Sequence, residues 1–441
     1  MEQSYITEDL NVKAAAITLG CKVNQYESQA IISKLVKEGY EQVSSEEEAD
    51  VYIVNSCSVT SESDRKTRQL VRKIKRQHPE SIVVLTGCMS QAFPEEAAKL
   101  TDADIVTGNK FNTRIPEFIE DFRKNGRIVC VEEHKSGEPF CCDTVTSFFD
   151  RTRAEIKIED GCNRFCSYCI IPYARGRVRS KPLDVLKAEA SALGRAGYRE
   201  IVLVGINLSA YGSDSGSSIV EAVKAAAECE GILRVRLGSL EPDHLTDAVI
   251  NGLSKIEKLC PQFHISLQSG CNKTLKAMNR HYTAEEYSAL CDRLRASFKD
   301  CTLTTDVMVG FADETDEDFR ESLEFVKKIG FEKVHVFPYS RRKGTRADMM
   351  DHQVEKAVKE MRAAEMIAEA DKIRKAFLSA QAGKILRVIP EEFNSKGCAC
   401  GYTANYTPVL IKEGECTCGE PVDVLITGTE GDFCTGRITS D

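Results

Sequence analysis

Three times near the start of the chain an apolar run leads to a cysteine. Ala14–Leu19 precedes Gly20-Cys21, Val51–Val54 precedes Asn55-Ser56-Cys57, and Ile82–Leu85 precedes Thr86-Gly87-Cys88. Between the runs lie stretches of helical periodicity, Tyr26–Glu38 stopped at Gly39 and Arg65–Gln77 stopped before Pro79. Short apolar runs alternating with helices over short connections predict a parallel sheet covered on both faces. We therefore expect an α/β, flavodoxin-like doubly wound domain over residues 11–125. In such sheets the loops at the carboxyl ends of the strands gather ligands. The three cysteines lie 36 and 31 residues apart, about one βαβ step each. Thiols distant in sequence are thus expected to converge on one crevice, a geometry suited to a metal.

Residues 126–150, with Gly137, Pro139 and Cys141-Cys142, read as an irregular linker. A longer alternation then fills 151–382, with strands expected at Glu155–Glu159, Glu200–Val204, Arg234–Leu237, Gln262–Leu267, Leu303–Met308 and Lys333–Phe337. Six βα steps predict an open, partial (βα)6 barrel, since a full barrel takes eight. A long helix, Asp351–Ala382, breaks at Gly383. The segment 383–441 changes to short Val/Ile-rich strands with turns at Glu413-Gly414 and Gly428 to Gly431, the pattern of a small β-barrel.

The chain carries 19 cysteines. Its start, Met1 to Val12, is acidic and polar and reads as no signal peptide, and no apolar run reaches the length of a membrane span. These features place the protein in the cytoplasm with no membrane partner. In a reducing compartment thiols serve as metal ligands, reactive groups or packing rather than as disulfides. The net charge of −9 argues against a protein that coats nucleic acid non-specifically. Local basic stretches exist nonetheless: seven of the twelve residues Arg65–Arg76 are basic, and Arg175, Arg177, Arg179 and Lys181 form a second cluster. Both are read as candidate phosphate contacts.

The chemistry-bearing motif is Gly161-Cys162-Asn-Arg-Phe-Cys166-Ser-Tyr-Cys169, on the loop after the first barrel strand. Structural zinc takes four ligands, whereas three close thiolates suit an iron–sulfur cubane with one iron open. With that spacing, the segments Leu19-Gly-Cys21-Lys-Val-Asn24-Gln-Tyr-Glu-Ser28, Asn55-Ser-Cys57, Thr86-Gly-Cys88, Asp160 through Gly176, Leu267-Gln268-Ser-Gly270, Lys276-Ala-Met278-Asn-Arg280 and Thr305 through Phe311 together resemble the radical S-adenosylmethionine (SAM) methylthiotransferases, nearly end to end and in the family's order. The tail Gly401-Tyr-Thr-Ala-Asn405-Tyr406 looks like the TRAM module, an RNA-binding barrel.

The resemblance implies two [4Fe-4S] clusters and SAM as cofactors. One cluster would sit on Cys162, Cys166 and Cys169, the other on Cys21, Cys57 and Cys88. SAM would contact Tyr168, Gly205, Asn207, Ser239, Glu241 and Gln268, beside open iron. The reaction implied is methylthiolation at C2 of N6-threonylcarbamoyladenosine at tRNA position 37, with one SAM giving the methyl group and another the 5′-deoxyadenosyl radical. The implied partners are a tRNA anticodon loop, a flavodoxin- or ferredoxin-type reductant and a sulfur donor. Tyr402, Asn405 and Tyr406 would stack on and read unpaired bases. Competing readings keep the chemistry on N6-isopentenyladenosine or a ribosomal-protein aspartate, or replace it by a non-catalytic zinc- and RNA-binding protein. The stretch Cys21-Lys-Val-Asn-Gln-Tyr-Glu favours the threonylcarbamoyl branch. Two turns depart from the family, with Ala312-Asp313 where Pro-Gly is usual and Arg346 where proline often stands. Cys398, Cys400, Cys416 and Cys418 read either as a zinc site or as paired core positions. Cys130, Cys141, Cys142, Cys229, Cys260, Cys271, Cys291, Cys301 and Cys434 read as packing residues.

Overall fold

The structure, a computed structural model, describes residues 12–148 and 152–439; the acidic start lies outside the described residues. The chain divides into two compact units, Met1–Val145 with Ile170–Arg177, and Thr146–Cys169 with Val178–Asp441.

The first unit is built on strands β1 (Lys13–Thr18), β2 (Glu41–Gln42), β3 (Val51–Ser56), β4 (Ile82–Gly87), β5 (Ile105–Thr107) and β6 (Ile128–Cys130). They lie in the order β2-β1-β3-β4-β5-β6, every pairing parallel. Strands β3 and β4 are buried at all six positions, which is why they read as unbroken apolar runs rather than alternating ones. One face packs Tyr52, Val54, Val83 and Leu85 with Val71 and Ile74, and the other packs Ile53 and Val84 with Ile31, Leu35 and Ile119. Each such aliphatic side chain, fully buried, contributes about 1.5–3 kcal/mol. The linker expected over 126–150 is corrected at its beginning, where β6 extends the sheet.

Two helices set the carboxyl-end loops, α1 (Lys22–Lys37) beginning directly after Cys21 and α2 (Ser61–Gln77) shortly after Cys57. Thr60 caps α2 by accepting from the Ser63 backbone N–H at 3.1 Å. Asp64, Thr67, Val71 and Ile74 form its buried stripe, a 3.6-residue period. Arg65, Lys66, Arg72, Lys73 and Arg76 are left on the exposed side.

In the second unit the long strands β7 (Arg153–Lys157), β10 (Glu200–Val204), β11 (Arg234–Leu237), β13 (Gln262–Ile265), β14 (Thr302–Val309) and β15 (Lys333–Pro338) form the partial barrel. The short β8 (Glu159–Asp160), β9 (Arg179–Ser180) and β12 (Ser239–Leu240) trim its rim. The parallel sets β7-β10-β11 and β12-β13-β14-β15 meet where Gly238 joins β11 to β12. The helix expected from Asp351 starts later, spanning Lys356–Ser379. Strands β16 (Ile385–Phe393), β17 (Ala399–Thr403), β18 (Pro408–Glu413), β19 (Val422–Glu430) and β20 (Phe433–Ile438) close a five-stranded barrel ordered β16-β17-β18-β20-β19.

The two unusual turns are accommodated locally. Asp313 adopts φ +63°, the left-handed region that glycine fills most easily and that Asp tolerates better than most residues. Arg346 opens a short 3-10 helix, at the position where proline is favoured but not required.

Candidate functional site

Cys21, Cys57 and Cys88 follow β1, β3 and β4, which are immediate neighbours in the sheet. Cys21 is exposed while Cys57 and Cys88 are buried. Burial pushes the Cys57 thiol up, and the nearby Cys21 adds to the effect. Burial likewise pushes Cys88 up to about 12, with Cys57 and Cys21 contributing and the Arg175 guanidinium pulling the other way.

Side chains that sequence reading assigned no role hold this arrangement. The Asn24 amide donates to the carbonyls of Leu19 at 3.2 Å and Ser56 at 2.9 Å, and Asn55 donates back to the Asn24 carbonyl at 3.0 Å. The Cys21 and Cys57 loops are thereby laced together. Asn24 Oδ1 accepts from Cys21 Sγ at 3.5 Å, and the Val59 N–H donates to Cys57 Sγ at 3.5 Å. An asparagine within three residues of Cys21 and of Cys57 was the available signal.

Gly87 sits at φ +100° and ψ −160°, a region essentially closed to other residues. A Cβ there would meet the Ser56 carbonyl oxygen at 2.4 Å. Gly87→Ala is expected to cost roughly 2 kcal/mol or more. A thermal melt checks this, and coincidence with the parent protein would refute it.

The Cys162–Cys169 loop is fastened by the segment 277–280. Ser167 donates through Oγ to the Ala277 carbonyl at 2.9 Å and through N–H to that of Met278 at 3.0 Å. Asn279 donates to the Phe165 carbonyl at 3.1 Å, holding Phe165 at φ +51°. Arg280 donates to Cys166 Sγ at 3.4 Å and is paired with Glu241. Asn207 Nδ2 lies 3.9 Å from Cys162 Sγ, and burial pushes that thiol up to about 12.

The remaining expected SAM contacts stand at strand ends. The Asn207 N–H donates to Glu159 at 2.7 Å, and a Cβ on Gly205 would lie 2.7 Å from the same carboxylate oxygen. Ser239 opens β12, and the Glu241 N–H donates to Ser209 Oγ at 2.8 Å. The Tyr168 ring meets Phe311 edge-on at 6.3 Å. Among the described residues, Glu159 Oε1 and Gln268 Oε1 are buried with no hydrogen-bond partner. Buried polar atoms are rarely left so, and two such acceptors suit a ligand's amino group.

Among the described residues no three His, Cys, Asp or Glu side chains gather tightly enough round one point for a single ion, the Cys398–Cys418 group included. Mononuclear zinc needs four ligands, with sulfurs about 2.3 Å from one centre. Thiolates on an iron–sulfur cluster bind different irons rather than one centre, so that single-ion geometry is not required of the two cysteine trios.

Two expectations about RNA contact are corrected. Arg175, Arg179 and Lys181 are buried, paired with Glu27, Asp160 and Glu189; only Arg177 of that cluster is exposed. Tyr402 and Tyr406 stack on each other at 4.5 Å, with Arg236 4.6 Å from the Tyr406 ring centroid. Asn405 donates to the Asp300 carbonyl at 3.1 Å. These residues join the small barrel to the larger one. Of the cysteines read as packing, Cys229, Cys260, Cys271, Cys291 and Cys434 are buried, whereas Cys141 is exposed.

A six-strand partial barrel with a three-cysteine loop after its first strand defines a radical SAM enzyme, and residues 156–326 match the Radical SAM superfamily. That class implies a [4Fe-4S] cluster and SAM. Residues 13–108 match the Uncharacterized protein family UPF0004. A Bacillus subtilis (strain 168) protein named threonylcarbamoyladenosine tRNA methylthiotransferase MtaB is 39% identical over 93% of this chain and 92% of its own. A Clostridium botulinum (strain Hall / ATCC 3502 / NCTC 13319 / Type A) tRNA-2-methylthio-N(6)-dimethylallyladenosine synthase is 33% identical over 99% of this chain and 100% of its own. The solved structure of TsrM from Kitasatospora setae, a radical SAM methyltransferase, shares the fold with a TM-score of 0.53 and 14% identity, covering 75% of each chain. The chain belongs to the radical SAM methylthiotransferase family.

Proposed function

We propose that this enzyme methylthiolates C2 of N6-threonylcarbamoyladenosine at tRNA position 37, using one SAM as methyl donor and one as radical source. The observation that carries the reading is the placement of Cys21, Cys57 and Cys88 on three adjacent strand ends, beyond what SAM cleavage needs. We assign them to a second [4Fe-4S] cluster, and Cys162, Cys166 and Cys169 to the first. When bound, these groups supply what side chains cannot: a radical able to take hydrogen from an aromatic carbon, and sulfur to replace it. The residues of the chain position and shield. Gly205 lets backbone approach closely, Asn207, Ser239 and Glu241 border the SAM space, and Gln268 and Glu159 present acceptors there. Tyr168 walls the loop. The exposed basic side of α2 holds tRNA phosphates, contacts that position without reading sequence. A reductant of flavodoxin or ferredoxin type and a sulfur donor complete the partners. The functional segments in this proposal are 11–125, 151–382 and 383–441.

The higher identity to the threonylcarbamoyl relative favours that base over the dimethylallyl one. Nucleoside mass spectrometry of tRNA from a strain lacking the gene tests it. Loss of the methylthio form of N6-threonylcarbamoyladenosine is expected. An unchanged level, or loss of the isopentenyl derivative instead, would overturn the choice of substrate.

A further inference from the structure

Arg175 is fully buried, although it stands only six residues after Cys169 in an arginine-rich stretch. It belongs to the first unit. Its guanidinium donates through Nη1 and Nη2 to both oxygens of Glu27, at 2.6 and 2.9 Å, and through Nη2 to Asn24 Oδ1 at 2.9 Å. The Nε–H donates to Cys88 Sγ at 3.3 Å. Side-chain exposure is 0% for Arg175 and 2% for Glu27.

A buried ion pair is a poor way to gain stability, because desolvation offsets its attraction and an apolar pair of similar volume serves as well. The geometry gives this one another use. A two-pronged carboxylate contact fixes the plane of the guanidinium, and that plane aims the remaining Nε–H at the sulfur. The charge is permanent across the physiological range. Reduction potentials of iron–sulfur clusters are set by local charge and by hydrogen bonds to the sulfurs.

We infer that Arg175, held by Glu27 and Asn24, is a positioning residue that orients the Cys88 thiolate and raises the reduction potential of the cluster on Cys21, Cys57 and Cys88. This rests on the assignment of a cluster to those cysteines. A donor and a positive charge at one sulfur favour the cluster carrying one more electron. Removing the Glu27 charge alone takes a negative charge from beside the guanidinium and favours reduction further. Removing both charges takes away the nearer, positive one and disfavours it. Opposite shifts from the single and double replacements are something a purely structural role does not produce.

The test uses full-length protein carrying Cys162→Ala, Cys166→Ala and Cys169→Ala, reconstituted anaerobically, so that one cluster is observed. Its reduction by dithionite is followed by electron paramagnetic resonance. Glu27→Gln is expected to shift the one-electron equilibrium about tenfold toward the reduced form, and Glu27→Gln with Arg175→Met about tenfold toward the oxidised form. Tenfold corresponds to about 59 mV for one electron. Unmoved midpoints, or shifts of the same sign with iron content retained, would overturn the inference. Should the double replacement lose its iron, Glu27→Gln alone decides, and an unmoved midpoint counts against Arg175. If the starting protein binds no cluster at all, the ligand assignment itself fails.

Discussion

Replacing any one of Cys162, Cys166 or Cys169 with Ala is expected to abolish formation of 5′-deoxyadenosine from SAM. The same change at Cys21, Cys57 or Cys88 is expected to leave SAM cleavage within a few-fold of the parent while ending methylthio transfer. The reason lies in how each trio is built. The trio Cys21, Cys57 and Cys88 depends on the sheet-end loops of β1, β3 and β4 and on the lacing by Asn24 and Asn55. The trio Cys162, Cys166 and Cys169 depends on one loop pinned by Ala277, Met278 and Asn279. The hydrogen bonds described for the two fastenings have no side chain in common, and changes without shared partners act independently. Anaerobic incubation with SAM, dithionite and tRNA, followed by chromatography of the nucleosides, measures both outcomes. Equal loss of SAM cleavage in the two sets would refute the division of roles.

What could be read in advance, and what could not, follows from the range of the interactions involved. Strands β3, β4 and β10 were visible because burial on both faces makes an unbroken apolar run, a purely local signal. The placement of Cys21, Cys57 and Cys88 after adjacent strands was visible because the carboxyl ends of parallel strands lie at one edge of the sheet by topology alone. Strand β6 was missed because three residues, Ile128–Cys130, carry too little periodicity to separate from a linker. Arg175, Arg179 and Lys181 were misread as a surface for phosphate. A positive charge shows in a sequence, but its partner does not: Glu27 lies 148 residues away from Arg175. Tyr402 and Tyr406 failed in the same manner, since a stacking platform for a base and one for a neighbouring guanidinium use the same ring. Arg280 was noted only as part of a motif, and its contact with Cys166 emerges only when the loops after two different strands are brought together.

The small barrel is joined to the larger one by charge as well as by rings, and this leads to the largest expected effect on stability. Glu200, 2% exposed, faces Arg236 at 2.8 Å, Arg234 at 3.7 Å and Arg153 at 3.9 Å. Those arginines reach across to the small barrel: Arg234 donates to the carbonyls of Tyr402 at 3.0 Å and Arg387 at 2.8 Å, and Arg236 to that of Ala404 at 3.0 Å. Arg153 pairs with Glu391 at 2.7 Å. Removing one partner of a buried pair leaves the other charge stranded, at a cost of about 3–5 kcal/mol. Glu200→Gln strands part of three guanidiniums at once and should fall in that range. Burial pushes the Glu200 carboxyl up, but Arg236, with Arg153 and Arg234 behind it, outweighs burial and holds it below the usual value. The unfolded chain therefore binds this proton more readily than the folded one, so the contribution is present above the unfolded carboxyl range and disappears as pH falls through the folded value. Urea unfolding followed by circular dichroism should show a wide gap between parent and variant at pH 7 that closes below about pH 4. Hydrogen exchange should show the first loss of protection in 385–438. A gap under about 1 kcal/mol at pH 7, or one that widens toward acid, would mean that the arginines are held to the small barrel without Glu200.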